Sequence, residues 1–220
     1  WTFEHDRVGR LTLEPPSASE PSDRYRYDPM NPVQTVGGGD CCNGGTFKPG
    51  AFDQRAVEIR DDVLVYTSDV LTDPLEISGD VEALLSVQSS AKDTDFAVKL
   101  VDVAPDGTAW ILADTIFRAR YRNGFGQPVM MEAGKTYAIR LTPMTIANRF
   151  EAGHRIRIEV TSSNFPKFVR NLNTGGPNET EALGVVADNA VLHAGADLSF
   201  ITLPVKNSGA SHVRFQSVAR

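Results

Sequence analysis

Four histidines, His5, His154, His193 and His212, are the side chains whose unperturbed titration falls near neutrality, and serine and aspartate are plentiful enough to imagine a nucleophile, a base and an orienting acid. A hydrolytic serine normally needs more than composition. It sits on a G-x-S-x-G turn that exposes its hydroxyl beside an oxyanion hole, and no such string occurs. His154 stands on the same parity as Ile156 and Ile158 and reads as a hydrogen-bonded structural histidine, as does His193; His5 and His212, near the termini, read as solvated. Asp93-Thr94-Asp95 offers paired carboxylates, but the glycine and spaced oxygens of a calcium loop do not follow, because Phe96-Ala97-Val98 starts a strand. The expectation is structural: one carboxylate accepts backbone N–H groups at the loop end, and the other pairs with an arginine across a sheet. Cys41 and Cys42, adjacent and the only cysteines, have neither the spacing nor the further partners of a metal site or a C-x-x-C redox pair. No metal and no cofactor is expected.

Two segments have the composition of an interface. Ser162-Ser163-Asn164-Phe165-Pro166, running on to Asn171-Leu172-Asn173-Thr174-Gly175, combines Phe165 and Phe168 as apolar anchors with Asn164, Arg170 and Asn171 as hydrogen-bonding groups. A plain connection with one buried Phe is the competing reading. The glycine-rich run Gly37 to Gly45 carries Asp40, Cys41 and Cys42, either as small residues packed in a tight loop or as the wall of a pocket. Asp53-Gln54-Arg55 is a polar cluster ahead of an expected strand over Val57 to Tyr66, placed to fix the long loop before it.

The elements that must position these residues are strands. In His154 to Thr161, Ile156, Ile158 and Val160 share one face, while Arg155, Arg157, Glu159 and Thr161 share the other, so one face is expected in the core and one in water. The same alternation recurs at Val81, Ala83, Leu85 and Val87, at Phe96, Val98 and Leu100, and at Tyr137, Ile139 and Leu141. Turn chemistry separates the runs: Ser78-Gly79-Asp80, Pro105-Asp106-Gly107, Glu132 to Lys135 and Glu151-Ala152-Gly153. No helical period is sustained, and only Glu179 to Leu183 suggests a helical turn. Crossover helices for a βαβ fold are missing. The fold class is therefore all-β, a sandwich or barrel, with residues 14 to 55 forming one long ordered loop rich in Pro, Gly, Ser and Asp.

Composition narrows the partners. With 28 acidic and 22 basic residues the net charge is -6, and no stretch gathers lysine or arginine as a phosphate-binding surface would, which argues against nucleic acid. No apolar run approaches the roughly 20 residues that span a bilayer, so a soluble chain without a membrane partner is expected, its compartment unread. The 220 residues suffice for one domain, and the start at Trp1, in what reads as a strand, suggests a piece of something longer.

Several strings in order carry a family resemblance: YRYDPMNPVQTVGGG (25–39), GAFDQRAVEIRDDVLVYTSDVL (50–71), DTDFAVKLVDVAPDG (93–107) and NRFEAGHRIRIEVTSSNFPKFVRNLNTG (148–175), and the end, with His193 ahead of LSFITLPV (198–205), is compatible with it. They resemble the carboxy-terminal domain shared by X-Pro dipeptidyl-peptidases, cocaine esterases and α-amino-acid ester hydrolases. The resemblance implies a jelly-roll β-sandwich of the galactose-binding-like kind over residues 1–220. It also implies an upstream α/β-hydrolase domain, absent from this chain, that holds the Ser-His-Asp triad. This chain would then be non-catalytic, with that catalytic domain as partner in the same polypeptide. The glycine-rich loop would lie toward it and help form its substrate pocket. Self-association through the exposed docking patch is a further expectation. A carbohydrate-binding jelly roll is the alternative, weakened because only 8% of residues are aromatic and most fall on apolar strand parity.

Overall fold

The computed structural model describes residues 8–14, 16–17, 19–40, 45–194, 198–206 and 212–219. The expected opening strand, His5 and both cysteines lie outside them. Among the described residues there are twelve strands: β1 (Val8–Thr12), β2 (Asp23–Tyr27), β3 (Leu64–Ser68), β4 (Leu75–Ser89), β5 (Asp95–Val103) and β6 (Ala109–Arg118). The rest are β7 (Tyr137–Arg140), β8 (Met144–Phe150), β9 (Arg155–Thr161), β10 (Ala187–Leu192), β11 (Phe200–Leu203) and β12 (Val213–Val218). Helix among the described residues is confined to α1 (Arg55–Glu58) and one 3-10 turn at Ala119–Tyr121. No helix of the described residues is long and apolar enough to cross a membrane.

The strands join in the order β2-β10-β4-β11-β12-β1-β3-β9-β5-β6, with β7 and β8 also on β4. Only β1 and β3 run parallel among these pairs. The 15-residue β4 is the pivot. Its first half pairs with β8 from Leu75↔Phe150 to Val81↔Met144, and its second half pairs with β7 from Leu84↔Arg140 to Val87↔Tyr137. Its other edge takes β11 and then β10. The ladder curls back on itself, so Val81, Leu85, Val87 and Ile139 from one layer share a core with Phe96, Val98, Leu100, Ile156, Ile158 and Val160 from the other. That is the jelly-roll sandwich. Gly9 shows how tightly it closes: a Cβ there would stand 2.5 Å from the Tyr66 ring.

The face of β9 expected to be wet is not. Glu159 and Thr161 are fully buried, because β9 lies between β3 and β5 and residues ahead of β3, among them Gln54 and Glu58, reach over its outer side. Val33, Val57, Val63 and Val65 form a second, smaller core there. Alternation reports which side chains share a face but not what covers that face.

Three further expectations change. Residues 57–63 are helix α1 and a turn rather than strand, which begins at Leu64; the Asp53 carboxylate accepts the Arg55 N–H at the helix start. The long loop contains a strand, β2, whose Tyr25 and Tyr27 are buried and whose Arg24 and Arg26 are exposed, paired along β10. Glu179 to Leu183 forms no helical turn. Thr180 N–H closes a tight turn on Pro177 O, and Glu181 is held by the Thr174 hydroxyl, which fixes the segment as loop.

Candidate docking and pocket-lining site

Three strands place one polar row on the outer face, Glu159 opposite Lys99 and Lys99 opposite Asp114, with the apolar Val65 of β3 at its end opposite Glu159. Lys99 and Glu159 are both buried, with Nζ 3.0 Å from Oε2. Lys99 also donates to Gln54 Oε1 at 3.0 Å, and Gln54 donates to the Val36 carbonyl at 2.8 Å. Asp53 accepts Ala109 N–H at 3.2 Å and clasps Arg55 through both oxygens. Asp53-Gln54-Arg55 does tie the long loop to the sandwich. Beside it, burial pushes the Glu58 carboxyl up to about 7 against the pull of Arg157, whose Nη1 lies 2.7 Å away.

Asp114, at the end of the row, joins the two segments singled out in the sequence. Its Oδ1 accepts Lys167 Nζ at 2.7 Å and its Oδ2 accepts Asn164 Nδ2 at 2.8 Å. Gly38, at φ +105°, passes so close that a Cβ would meet Asp114 Oδ1 at 2.9 Å. Backbone bonds complete the seam: Thr35 N–H donates to Phe165 O at 2.6 Å and Phe165 N–H to Val33 O at 2.8 Å. The Phe165–Pro166 bond is cis. The start of the glycine-rich loop and the Asn164–Phe168 loop therefore lie side by side. Phe165 and Asp40 are exposed, Phe168 is half-buried under the Lys167 ammonium at 5.4 Å, and Asn164 is buried.

Arg170 and Asn171 stand differently. Arg170 is half-buried and donates to Pro29 O at 3.1 Å. Asn171 is fully buried, its amide shared between Asp93 at 2.7 Å and Asp95 at 2.8 Å. Asp93 accepts Arg120 N–H at 2.9 Å and Nε at 2.7 Å, while Asp95 accepts Arg118 Nε at 2.9 Å across the β5–β6 ladder. Burial pushes the Asp95 carboxyl up, and Arg118 and Asn171 pull it back. These carboxylates have the loop-end and cross-sheet roles their sequence suggested.

One constellation was missed. His193 Nε2 lies 3.1 Å from Asp23 Oδ2 and its Nδ1 lies 2.9 Å from Ser217 Oγ, with Tyr66 donating to the same Asp23 oxygen at 3.0 Å. The order acid, imidazole, hydroxyl is that of a triad, but His193 is 0% exposed, and the array joins β2, β3 and β12 inside the sandwich where no substrate reaches. Sequence separations of 170 and 24 residues hid it. His154 is structural too, with Nδ1 2.8 Å from Asp102 Oδ1.

Residues 4–202 match the family described as the X-Pro dipeptidyl-peptidase C-terminal non-catalytic domain. A cocaine esterase from Rhodococcus sp. (strain MB1 Bresler) is 46% identical over 191 residues, covering 86% of this chain and 33% of that protein. Among solved structures, an α-amino acid ester hydrolase superposes with a TM-score of 0.81 at 30% identity, over 90% of this chain and 35% of its own. An aminopeptidase from a marine-sediment Thaumarchaeota archaeon gives 0.79 at 28% identity, over 93% and 36%. The chain spans about a third of the length of each.

Proposed function

We propose that this chain, which belongs to the X-Pro dipeptidyl-peptidase C-terminal non-catalytic domain family, packs on an α/β-hydrolase catalytic domain of the same polypeptide and walls part of its substrate pocket. The whole protein would hydrolyse an ester or amide. A serine of the other domain attacks the carbonyl, a histidine moves the proton and backbone N–H groups hold the oxyanion. This chain contributes a shaped surface instead of a reacting group. The observation that carries the reading is the Asp114 junction, which holds an exposed Phe165 and the start of the glycine-rich loop at Gly38 side by side on a buried polar row.

The test uses the full-length enzyme. Phe165→Ala is expected to lower its melting temperature by weakening docking, whereas Asp40→Ala is expected to change KM with little effect on melting. If each behaves like the exposed control Lys206→Ala, the assignment fails. The 220-residue chain alone is expected to hydrolyse neither p-nitrophenyl acetate nor an X-Pro chromogenic amide above background. Saturable turnover abolished by one serine substitution would overturn that.

A further inference from the structure

Charge holds the cover on β9. Glu58 Oε2 of helix α1 accepts Arg157 Nη1 at 2.7 Å, and Arg157 turns its Nε to Thr67 Oγ1 of β3 at 2.8 Å. Two residues along the same face, Glu159 meets Lys99 of β5, whose ammonium also reaches Gln54 just ahead of α1. Asp53 is spent on Arg55, and Arg60, after the helix, on Asp62. Two cations therefore face two carboxylates whose side chains are 8% and 0% exposed. Helix α1 itself buries a single apolar side chain, Val57, so these polar contacts carry a large share of what keeps it in place.

The two cations do not satisfy the two carboxylates. Glu58 Oε1 and Glu159 Oε1 are buried, and neither accepts a hydrogen bond from any described group. Arg157 and Glu159, two residues apart in β9, point to the same side, which brings Glu58 within range of the Glu159 charge. A buried acceptor without a donor is costly, and like charges repel strongly where water does not screen them. A single proton answers both. Placed on one of the empty oxygens, it turns an unmet acceptor into a donor and removes one of the two like charges. Glu58 is the side chain that takes it: burial raises its carboxyl to about 7 against the pull of Arg157, and Glu159 adds to the rise.

We infer that Glu58 and Glu159 form a buried site for one exchangeable proton, that this proton keeps α1 and Gln54 down on β9, and that the cover opens locally when the proton leaves to water. The strands beneath stay folded, because they share the main apolar core whereas the cover has only a small cluster of valines. The direction is fixed by linkage. A carboxyl that binds its proton more tightly in the closed state favours closure at low pH, and that preference is lost as pH rises through its closed-state value. The effect reaches farther than α1. Gln54 donates to Val36 O at 2.8 Å, and Gly38 and Gly50 exchange backbone bonds of 2.8 and 3.0 Å. Loosening the cover therefore loosens Gly38 at the Asp114 junction, and its consequence for a pocket wall rests on the function proposed above.

The test is amide hydrogen exchange in the full-length polypeptide between pH 5 and pH 7, read in peptides spanning 53–60, 34–39 and 95–103 and divided by the intrinsic rate at each pH. Peptide 53–60 is expected to exchange at least about 10-fold faster than peptide 95–103 of β5, through an opening insensitive to about 1 M urea. In the open cover Glu58 returns to its ordinary 4.5, so the opening equilibrium should rise about 30-fold from pH 5 to pH 7. Glu58→Gln, which has the shape of the protonated side chain, should abolish that rise. A rise that persists in Glu58→Gln removes the proton site. The parent alone also decides: a corrected rate for 53–60 that is flat with pH, or equal to that of β5, overturns the local opening whether or not the variant folds. Peptide 34–39 should follow by a smaller factor, and a flat response there while 53–60 moves overturns the link to Gly38. Phe165→Ala, the test of the proposed function, should leave the pH profiles of all three peptides unchanged, so either reading can fail without the other.

Discussion

Strands β3, β9 and β5 are buried on both faces, and the two faces are built from different chemistry. On the inner side Ile156, Ile158 and Val160 pack with Leu64, Tyr66, Val98 and Leu100. Their stabilisation comes from apolar area withdrawn from water, which is large and has no preferred direction. On the outer side Lys99, Glu159 and Arg157 lie under the segment that carries Gln54 and Glu58. Buried ions gain little net energy, because the cost of leaving water offsets the attraction. They are demanding about geometry instead. Holding Gln54 on Lys99 and Glu58 on Arg157 at once fixes the position of this part of the chain, and Gly38, farther back along it, meets Asp114. The inner face supplies stability; the outer face registers the loops that the proposed function uses.

The sharpest way to break this comparison is to unpair the outer face. Lys99→Met leaves Glu159 buried without its ammonium and is expected to cost about 3–5 kcal/mol in urea unfolding. Adding Glu159→Leu should return most of that loss, because two apolar groups of similar volume remove the desolvation cost together with the attraction. A double variant as unstable as the single would mean that the outer face contributes by packing alone.

Next comes the inner face, where Ile158→Ala is expected to cost about 2–5 kcal/mol and Ile158→Val about 0.5–1.5 kcal/mol. The inner loss should scale with volume removed, and no second substitution on the outer face should rescue it.

These two faces also mark how far the sequence could be read. The parity of β9 was legible residue by residue, and so were the roles of Asp93 and Asp95, because each depends on local chain geometry. The burial of Glu159 was not, since it depends on where the residues around Gln54 and Glu58 lie, and a loop rich in Pro and Gly carries no periodicity that says so. The alternation in Asp23 to Tyr27 was visible but fell inside a stretch whose composition argues loop. For the site, the pairing of the glycine-rich loop with Asn164–Phe168 needed Asp114, which sits in a strand with nothing local to distinguish it. The inward turn of Asn171 toward two carboxylates was equally hidden, since a strand-to-loop amide reads the same whether it faces solvent or core.

A pH series would sharpen the outer face further. Burial holds Glu58 at about 7 in the folded chain, above its ordinary value of 4.5. A raised carboxyl favours the folded state fully at pH below 4.5, and that contribution is lost as pH rises through about 7. Between those limits the Glu58 contribution to stability should fall by at most about 1.4 kcal/mol per pH unit. Glu58→Gln removes the titration, so the gap between variant and parent should move in favour of the variant from pH 5 to pH 7, while carboxylates that do not interact with Glu58, such as the raised Asp95, cancel in the difference. A gap constant with pH would remove Glu58 from the account.

The smallest effect is expected where the same ion-pair distance occurs in water. Arg140 Nη1 lies 2.9 Å from Glu82 Oε2 between β7 and β4, with side chains 65% and 50% exposed, whereas Lys99 and Glu159 are 3.0 Å apart at 1% and 0%. Solvent screens the first pair and its long side chains lose freedom to make it, so Arg140→Ala should cost only about 0–1 kcal/mol. Salt separates the two cases more cleanly than magnitude does. Raising ionic strength to about 1 M shortens the screening length to about 3 Å, which should erase what the Arg140 pair contributes and leave the Lys99→Met loss nearly unchanged. Denaturation midpoints for both variants at low and high salt are the measurement. A salt response at Lys99 as large as that at Arg140 would mean that water reaches the outer face, and the distinction between the two faces of β9 would then be one of residue type without a difference in environment.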